Sequence, residues 1–298
     1  MNTFARIRGW ARRNRYLVAR RGVQLGVLLA FYGTLHWGWQ ALGQPLLAGN
    51  LSGSTLLGTI PLADPFALAQ ILMTGHVPLL EPFVGAAIVL GIYALVGGRS
   101  FCAWVCPVNI VTDGAEDLRR RLDLRGTLHL PRSLRYIAMV LALALSAWVG
   151  VAAFEWVSPV GIAHREVIFG TGLSLLALVG VLALDALVLR HGWCGHFCPL
   201  GAFWAQVGRV AQLRVAFDAA SCTLCGECVK VCPEPQVLNF KAAAEAGMVR
   251  SGECTNCAQC IAACPEESLA LRLRARISTE QEASLRRPGA TVNGRTAP

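Results

Sequence analysis

The chain has 298 residues, of which 54% are apolar and only 15% are charged, and its formal net charge is +9. No run of basic residues interleaved with aromatic residues is present, so a nucleic-acid partner is not expected. All 12 cysteines fall into four motifs, which argues against the disulfide framework of a small secreted protein. The low charged fraction instead favours a membrane protein.

The chain begins with a basic segment, residues 1–21, that carries seven arginines and is expected to lie in the cytoplasm. An apolar stretch of about 20 residues follows it, which a signal peptide or a membrane anchor could both explain. No A-x-A cleavage site follows this stretch. We therefore expect an anchor that is retained in the mature protein.

Four apolar stretches predict the architecture of residues 22–208. Each has about 18–20 residues, close to the length with which a helix crosses a hydrocarbon core of about 30 Å. The predicted fold is a membrane all-α domain with four transmembrane helices, followed by a ferredoxin-like α+β module. The stretches run approximately over Val23–Leu42, Leu79–Val96, Tyr136–Phe154 and Gly172–Leu189.

The distribution of basic residues predicts an orientation for these helices. Residues 43–78 contain no Lys or Arg, whereas residues 97–135 contain seven. Residues 155–171 contain one, and twelve follow residue 189. The positive-inside rule then predicts a multi-pass protein of the bacterial inner membrane, in contact with the lipid bilayer. Both termini and the ferredoxin module are expected on the cytoplasmic side of that membrane. The basic cluster Arg119–Arg121 is interpreted as an anchor to anionic lipid.

A C-x3-C-P motif follows the second apolar stretch, and another follows the fourth. The first contains Cys102 and Cys106, and the second contains Cys194 and Cys198. This repetition predicts two parallel copies of a two-helix unit. The four thiols could form a further redox site, by holding a metal centre or by cycling between dithiol and disulfide. Alternatively, these cysteines are small buried apolar residues in a turn. The repetition favours the redox interpretation.

Two longer cysteine runs lie in the predicted module, residues 209–277. Both have the spacing C-x2-C-x2-C-x3-C-P, in which the first three thiolates hold one [4Fe–4S] cluster and the fourth ligates the other. Zinc is the main alternative, but zinc sites usually combine paired C-x2-C knuckles. The sequence therefore predicts two clusters. The assigned ligands are Cys222, Cys225, Cys228 and Cys264 for the first cluster, and Cys254, Cys257, Cys260 and Cys232 for the second.

Alternating apolar residues predict short strands within Gly208–Phe217 and Ser268–Arg274, on either side of these runs. Residues 278–298 are polar and without periodicity, and we expect them to be disordered.

Oxidation of a quinol releases protons together with electrons, so a quinol site needs a carboxylate or a histidine beside an apolar pocket. The catalytic group is not identified by the sequence, and the candidates are Asp64, His76, Glu81 and Asp185. Only His36 lies within a predicted membrane helix, so no histidine pair at matching depth is available to bind haem, and haem is not expected.

The combination of these features resembles the NapH family, the ferredoxin-type membrane components of periplasmic nitrate reductase systems. The resemblance covers about residues 10–270 and includes GRSFCAWVCPVN (98–109), HGWCGHFCPLGA (191–202), VCPEP (231–235), TLLGTIPLADPF (55–66) and GHVP (75–78). It implies a quinol dehydrogenase subunit, an electron-transfer component rather than a complete enzyme. Such a subunit would take electrons from the membrane quinol pool and pass them through a NapG-like periplasmic polyferredoxin to nitrate reductase.

Two alternatives to a quinol dehydrogenase subunit remain open at the level of sequence. In the first, the chain is a maturation factor whose ferredoxin module reduces or assembles a metal centre in a partner protein. In the second, it is a structural anchor for a soluble partner. Loss of function on substitution of the ferredoxin cysteines would exclude the second alternative.

Overall fold

The structure, a computed structural model, describes residues 14–124, 128, 130–170 and 173–277. Most of the basic N-terminal segment, His129 and the predicted disordered tail at 278–298 lie outside the described residues.

The chain divides into two units, and both are discontinuous in sequence. One, the cysteine-rich unit, comprises Tyr93–Ala103 and the chain from Trp204 onward, together with residues up to Arg20. The other, the helical unit, comprises Arg21–Ile92 and Trp104–Phe203. All eight cysteines of the two long runs belong to the cysteine-rich unit.

Most of the described residues outside the loops are helical. The α-helices are α1 (Arg15–His36), α2 (Pro65–Met73), α3 (Leu80–Val96), α4 (Ser100–Trp104), α5 (Val108–Arg121), α6 (Leu134–Val149), α7 (Ala153–Val157), α8 (Pro159–Phe169), α9 (Leu173–Ala183), α10 (Pro199–Val207), α11 (Glu227–Val231), α12 (Phe240–Ala246) and α13 (Gln259–Ala263). Two π-helical segments are π1 (Leu184–Val188) and π2 (Trp193–Phe197), and two 3-10 turns span Gly208–Val210 and Pro235–Val237.

The strands are short and form three small antiparallel sheets. They are β1 (Gln40–Ala41), β2 (Gln44–Pro45), β3 (Leu47–Gly49), β4 (Gly53–Leu56), β5 (Ile60–Ala63), β6 (Leu213–Phe217) and β7 (Leu269–Leu273). In the helical unit, β1 pairs with β2, and β3, β4 and β5 form a sheet in sequence order.

The prediction of four transmembrane helices is wrong. Among the described residues, no helix combines the length and the apolar character that a membrane crossing needs. The helices α3, α6 and α9 have 17, 16 and 11 residues, below the roughly 20 residues that a crossing takes. The helix α1 has 22 residues but begins with the sequence RYLVARR. The predicted multi-pass inner-membrane location rested on these four helices and is corrected with them.

Three of the four apolar stretches fail as membrane helices because the chain interrupts them. The first stretch extends past the end of α1 at His36 into β1. The third is cut by Gly150, which ends α6 in a left-handed conformation with a φ of 77°, a conformation that glycine adopts without steric cost. The fourth changes from α-helix to π-helix at Leu184.

Capping and buried polar contacts fix helices α2 and α6 in the helical unit. The Asp64 side chain accepts a hydrogen bond from the backbone N–H of Phe66 at 3.0 Å, and Pro65 follows as the first residue of α2, where its missing N–H costs nothing. Phe66 is fully buried and makes an edge contact with Phe154. The buried Gln70 accepts a hydrogen bond from the Phe154 backbone N–H at 2.9 Å. Helix α2 is therefore held against α6 and α7 by apolar and polar contacts together.

In the cysteine-rich unit, β6 and β7 pair antiparallel, with Leu213 opposite Leu273 and Phe217 opposite Leu269. Both strands lie within the predicted ranges, so these two predictions are confirmed. Their inward side chains pack with residues from the cysteine runs and from α12 to form one apolar core. The buried members of that core are Val215, Phe217, Cys228, Cys232, Val237, Leu238, Ala243, Val249, Cys260 and Leu269.

Three chain segments of the cysteine-rich unit approach one another closely at glycines. A Cβ atom at Gly98 would collide with the carbonyl oxygen of Trp204 and the backbone nitrogen of Gly208. A Cβ atom at Gly208 would in turn collide with the carbonyl oxygen of Gly252. Because the obstructing atoms are backbone, they cannot rotate away as a side chain would. These contacts bring the 97–99 segment next to the second cysteine run.

Candidate metal centres

The two long cysteine runs adopt the same local backbone conformation. In the first, Leu224 and Gly226 have positive φ angles of 56° and 76°. In the second, Asn256 and Ala258 occupy the equivalent positions with φ angles of 49° and 59°. Left-handed residues that alternate with residues of other conformation turn successive backbone N–H groups toward one side of a loop, which favours an anionic group there. A short helix, α11 or α13, then carries the third cysteine of each run.

Each run contributes to two cavities, and the cysteines are distributed crosswise between them. Three cysteines from one run line each cavity, and the fourth comes from the other run. Cys222, Cys225, Cys228 and Cys264 line the first cavity. Cys254, Cys257, Cys260 and Cys232 line the second. The structure thus brings together the two groups of four that the spacing predicts as cluster ligands, while their ligation of iron stays a prediction.

The two cavities differ in their exposure to solvent. In the first, Cys225 is exposed, Cys222 and Cys264 are half-buried, and Cys228 is buried. In the second, Cys254 is half-buried, and Cys232, Cys257 and Cys260 are buried. The first cavity is therefore the more open of the two, and the second is the more enclosed.

Burial raises the pKa values of several of these thiols. It raises the pKa of Cys254 to about 11, against the lowering effects of the Asn256 backbone N–H and of the nearby Arg214 and Arg99 guanidinium groups. Burial also raises the pKa of Cys232 and Cys260 well above the usual thiol range, and that of Cys228 to a lesser extent. Metal binding must displace these protons, because the thiolate is the ligand.

A buried ion pair lies beside the second cavity. Arg99 and Glu234 form an ion pair with a distance of 2.6 Å between Nη1 and Oε1, and both side chains are less than 5% exposed. The same Nη1 donates to the carbonyl oxygen of Glu253 at 3.1 Å. Glu234 also lines the second cavity. The Asn256 side-chain amide donates to the carbonyl oxygens of Val96 and Leu213, so it joins α3 and β6 to the second run.

The donor set and its surroundings fit a [4Fe–4S] cluster in each cavity. All eight cysteines lie among the described residues, and none of them is in a disulfide. Each cavity offers four thiols within a largely apolar lining, and four cysteines are the ligand set of a cubane. Within the described part of the chain, no three His, Cys, Asp or Glu side chains converge closely enough to hold a single metal ion. A cubane places each thiolate on a different iron, so its ligands need not converge on one point.

The C-x3-C-P motifs occupy equivalent local positions. Cys102 lies in α4, and Cys106 is buried just before α5. Cys194 lies in π2, and Cys198 is buried just before α10. In each motif the proline stands where the next helix begins, at Pro107 and Pro199. A role of these cysteines as a further redox site stays a prediction.

The four candidate residues for a quinol site lie in different environments. His76 and Glu81 are exposed, on the segment before α3 and in its first turn. Asp64 caps α2, and burial raises its pKa to about 7, opposed by the Phe66 backbone N–H and reinforced by Glu155. The charged group that acts on Asp64 is thus Glu155 rather than His76 or Glu81.

Asp185, the fourth candidate, is 1% exposed and lies in π1. Its Oδ1 accepts a hydrogen bond from the Trp193 backbone N–H at 2.9 Å, whereas its Oδ2 has no hydrogen-bond partner. Burial raises its pKa to about 7, opposed by the Trp193 and Gly192 N–H groups. Asp185 therefore links π1 to π2, the segment that carries Cys194, and shares a neutral-range pKa with Asp64.

The interpretation of Arg119 as part of a lipid anchor is not supported by its contacts. Its side chain is buried, and it donates to the carbonyl oxygens of Asp185 and Ala186 at 3.3 and 3.0 Å. In a π-helix the backbone hydrogen bonds join residues five apart instead of four, and such segments are frequent at functional sites. Arg119 stabilises π1 by satisfying two of its carbonyl groups.

Sequence reasoning missed the buried charges beside the second cavity. The sequence marks Arg99 only as one of the basic residues that predict the orientation of the chain, and no pattern in it singles out Glu234 or Arg214. One signal was available: Arg99 interrupts an apolar segment directly after two glycines, where a solvated charge is not expected. Its partner Glu234 lies 135 residues away in sequence and could not be identified without the fold.

Comparison with known protein families agrees with the ferredoxin-type assignment. A family described as "4Fe-4S binding domain" matches residues 79–125 and 171–215, which contain the two C-x3-C-P motifs. A family described as "4Fe-4S dicluster domain" matches residues 214–265, which contain both long cysteine runs and extend through Cys264. No solved structure matches the chain significantly.

Curated relatives match most of the chain. The methylamine utilization ferredoxin-type protein MauN of Methylobacillus flagellatus is 40% identical over 84% of this chain and 87% of its own length. The ferredoxin-type protein NapH of Escherichia coli is 41% identical over 82% of this chain and 83% of its own length. NapH of Haemophilus influenzae is 43% identical over 77% and 79%, respectively. With this identity and coverage, and with 4Fe–4S binding domains over both halves, the chain belongs to the family of NapH and MauN ferredoxin-type electron-transfer proteins.

Proposed function

We propose that the chain carries single electrons through two [4Fe–4S] clusters, taking them from a quinol and passing them to a NapG-like polyferredoxin that supplies periplasmic nitrate reductase. The observation that carries this proposal is the crosswise lining of two cavities by four cysteines each. When bound, each cluster would supply a site that accepts and releases one electron. Two such sites match the two electrons that a quinol releases on oxidation.

The residues of each cavity would hold and shield the cluster. Cys222, Cys225, Cys228 and Cys264 would ligate the first, and Cys254, Cys257, Cys260 and Cys232 the second. Phe217, Phe240 and Leu269 line the first cavity, and Val215, Val237 and Leu238 the second. These apolar side chains exclude water, which limits hydrolysis and oxidation of the metal site.

The cluster assignment is tested on protein purified and reconstituted without oxygen. We expect about eight iron atoms and eight sulfides per chain, and EPR signals of reduced [4Fe–4S] clusters after treatment with dithionite. About twelve irons would indicate that the C-x3-C-P cysteines hold a third cluster. Bound zinc without inorganic sulfide would refute the proposal.

The quinol step needs a group that accepts a proton near neutral pH. Asp64 meets this requirement because its pKa is raised to about 7, and because it lies at the start of the apolar helix α2 beside the buried Phe66. A carboxyl with this pKa is half ionised at neutral pH, where a general base is most effective. Asp64 would take one of the two quinol protons as the electrons leave.

A quinol analogue added to the reconstituted chain tests this step. We expect Asp64→Asn to slow quinol-dependent cluster reduction by about 100-fold, a typical contribution of a general base. The asparagine retains the oxygen that caps α2, so the fold is preserved. Glu81→Gln, at an exposed position, is the matched control and should leave the rate unchanged. If the wild-type clusters are not reduced by any quinol, the maturation role becomes the better explanation.

The exposed edge of the first cavity is where we place the exchange of electrons with the protein partner. Cys225 is exposed there, and the neighbouring Leu224 is 44% exposed. Electron transfer requires close approach of the two centres, so the exposed cluster serves the partner better than the enclosed one. Leu224→Glu should slow transfer to the polyferredoxin without loss of iron, whereas Val210→Glu, at another exposed apolar position of the same unit, should not.

A further inference from the structure

We propose that Arg99 and Arg214 set the reduction potential of the cluster in the second cavity, and raise it relative to that of the same cluster without these charges. The inference rests on the proposed function, since it concerns a bound cluster. Its observable is a potential and not a rate of turnover. It assigns a function to Arg99, which lies in the segment directly before the first C-x3-C-P motif.

Arg99 is not part of the lining of the second cavity, but two contacts hold it directly behind that lining. Its side chain is 2% exposed, and it pairs with Glu234, a residue of the cavity lining, at 2.6 Å. It also donates to the carbonyl oxygen of Glu253, the residue directly before Cys254. The guanidinium group therefore lies beside both the second run and the segment that follows Cys232.

Arg214 approaches the same run from β6. It is 4% exposed and donates to the carbonyl oxygens of Arg250 and Ser251 at 3.3 and 3.1 Å. Its Nη2 donates to the carbonyl oxygens of Gly208 and Arg209 at 2.6 and 2.9 Å. These partners are neutral carbonyl groups, so they fix the guanidinium in place without cancelling its charge. With Glu234 opposing Arg99, the three buried charges sum to one positive charge. The nearby Glu253 carboxylate is only half-buried and accepts a hydrogen bond from Gln236 at an exposed position, so water screens it more strongly than the buried charges.

The first cavity has a different set of charges. Among the described residues that line it, Glu266 is the charged one, and it is exposed. Lys230 acts on Cys225 electrostatically, but it is 69% exposed and pairs with Glu227 at 2.6 Å. Water and salt screen such exposed charges, whereas buried charges are screened much less. We therefore expect the two arginines to change the reduction potential of the cluster in the second cavity and not that of the cluster in the first.

The sign of the effect follows from the charge balance of reduction. One electron enters the thiolate-ligated site, which becomes more negative by one unit, and no bond forms or breaks. A positive charge nearby stabilises the reduced state more than the oxidised state, so it raises the reduction potential. Arginine remains protonated at all accessible pH values, so the effect persists across the neutral range.

Protein-film voltammetry of the reconstituted full chain measures the two potentials as two one-electron waves. The wave that changes in Cys225→Ser belongs to the first cluster. We expect Arg214→Gln and Arg99→Gln to move the other wave to more negative potential, and Glu234→Gln to move it to more positive potential. The double variant Arg99→Gln/Glu234→Gln, which removes one charge of each sign, should move it less than Arg99→Gln does.

Arg250→Gln is the matched control. Arg250 lies four residues before the second run and is exposed, so its removal should leave both waves in place. Glu234→Gln keeps the inference testable if loss of a buried arginine prevents folding, because glutamine has the same shape and can still accept a hydrogen bond from Arg99. Equal shifts of both waves, or no shift in any of these variants, would overturn the inference. Absence of both waves in the wild-type chain would overturn the proposed function as well.

Discussion

The first and second cysteine-lined cavities have the same number of thiols, the same sequence spacing and the same pattern of left-handed backbone residues, yet they provide different environments. The first is open, with Cys225 at the surface. The second is enclosed and lies beside the buried Arg99–Glu234 ion pair. Cysteine spacing thus determines which thiols meet, whereas residues from distant parts of the chain determine burial and charge.

Removal of one thiol from the enclosed cavity should have the largest effect. We expect Cys260→Ser to lose about half of the iron, roughly four of eight atoms, and also to destabilise the unit, because Cys260 belongs to its apolar core. Cys225→Ser should lose a similar amount of iron with little loss of stability, because that position is exposed. Iron counting, EPR and urea unfolding of the iron-free chains measure both effects. Retention of all iron by both variants would contradict the ligand assignment.

The close approach of Gly98 to Gly208 should also be necessary for the second cavity. In Gly98→Ala the new methyl group meets backbone atoms of Trp204 and Gly208, so the 97–99 segment must move and Arg99 with it. We expect a loss of roughly 2–4 kcal/mol in the free energy of unfolding, typical of severe steric conflict, and selective disturbance of the second cluster. Gly114→Ala, where nothing lies within 4 Å, should be neutral or stabilising by up to about 1 kcal/mol.

The enclosed cavity should make the iron-free protein sensitive to alkali. The folded state retains the Cys254 proton up to a pKa of about 11, whereas the unfolded chain releases it near pH 8.5. Above that pH the unfolded state binds fewer protons, so stability falls as the pH rises toward 11, by roughly 1–3 kcal/mol. Urea unfolding at pH 8 and at pH 10.5 measures the change. Cys254→Ala should lose only the share of this change that Cys254 contributes, because the buried Cys232 and Cys260 also have raised pKa values and still release their protons on unfolding. The same fall in stability in wild type and Cys254→Ala would refute the assignment to Cys254.

The open cavity should lose its cluster first. A chelator reaches the exposed Cys225 more readily than the buried thiols of the second cavity, so we expect several-fold faster loss of the first cluster. EPR during treatment with a chelator follows both signals. Equal rates of loss would show that the cavities do not differ in access.

Local features of this protein were predictable from sequence, and long-range features were not. Three of the four thiols of each cavity lie within seven residues of one another, so local spacing predicts that they share a cavity. The fourth thiol comes from the other run and is predicted by the C-x2-C-x2-C-x3-C-P pattern of two-cluster ferredoxins. Hydropathy alone predicted one continuous membrane helix over Gly172–Leu189. That prediction failed because apolar character does not show that the α-helix changes to π1 at Leu184. The pairing of Arg99 with Glu234 depends on backbone contacts between segments more than 100 residues apart. No local pattern encodes such contacts.

The discontinuity of the cysteine-rich unit limits its modularity. A fragment that begins at residue 209 would keep all eight thiols but would lose the Tyr93–Ala103 segment of the same unit. Glu234 would then be a carboxylate without its counterion, and Asn256 would lack the Val96 carbonyl group. Transplanting the cysteine runs into another scaffold would therefore transfer the ligands without their electrostatic setting. In this protein, the part of the chain that sets the environment of the electron-transfer sites is larger than the cysteine motifs.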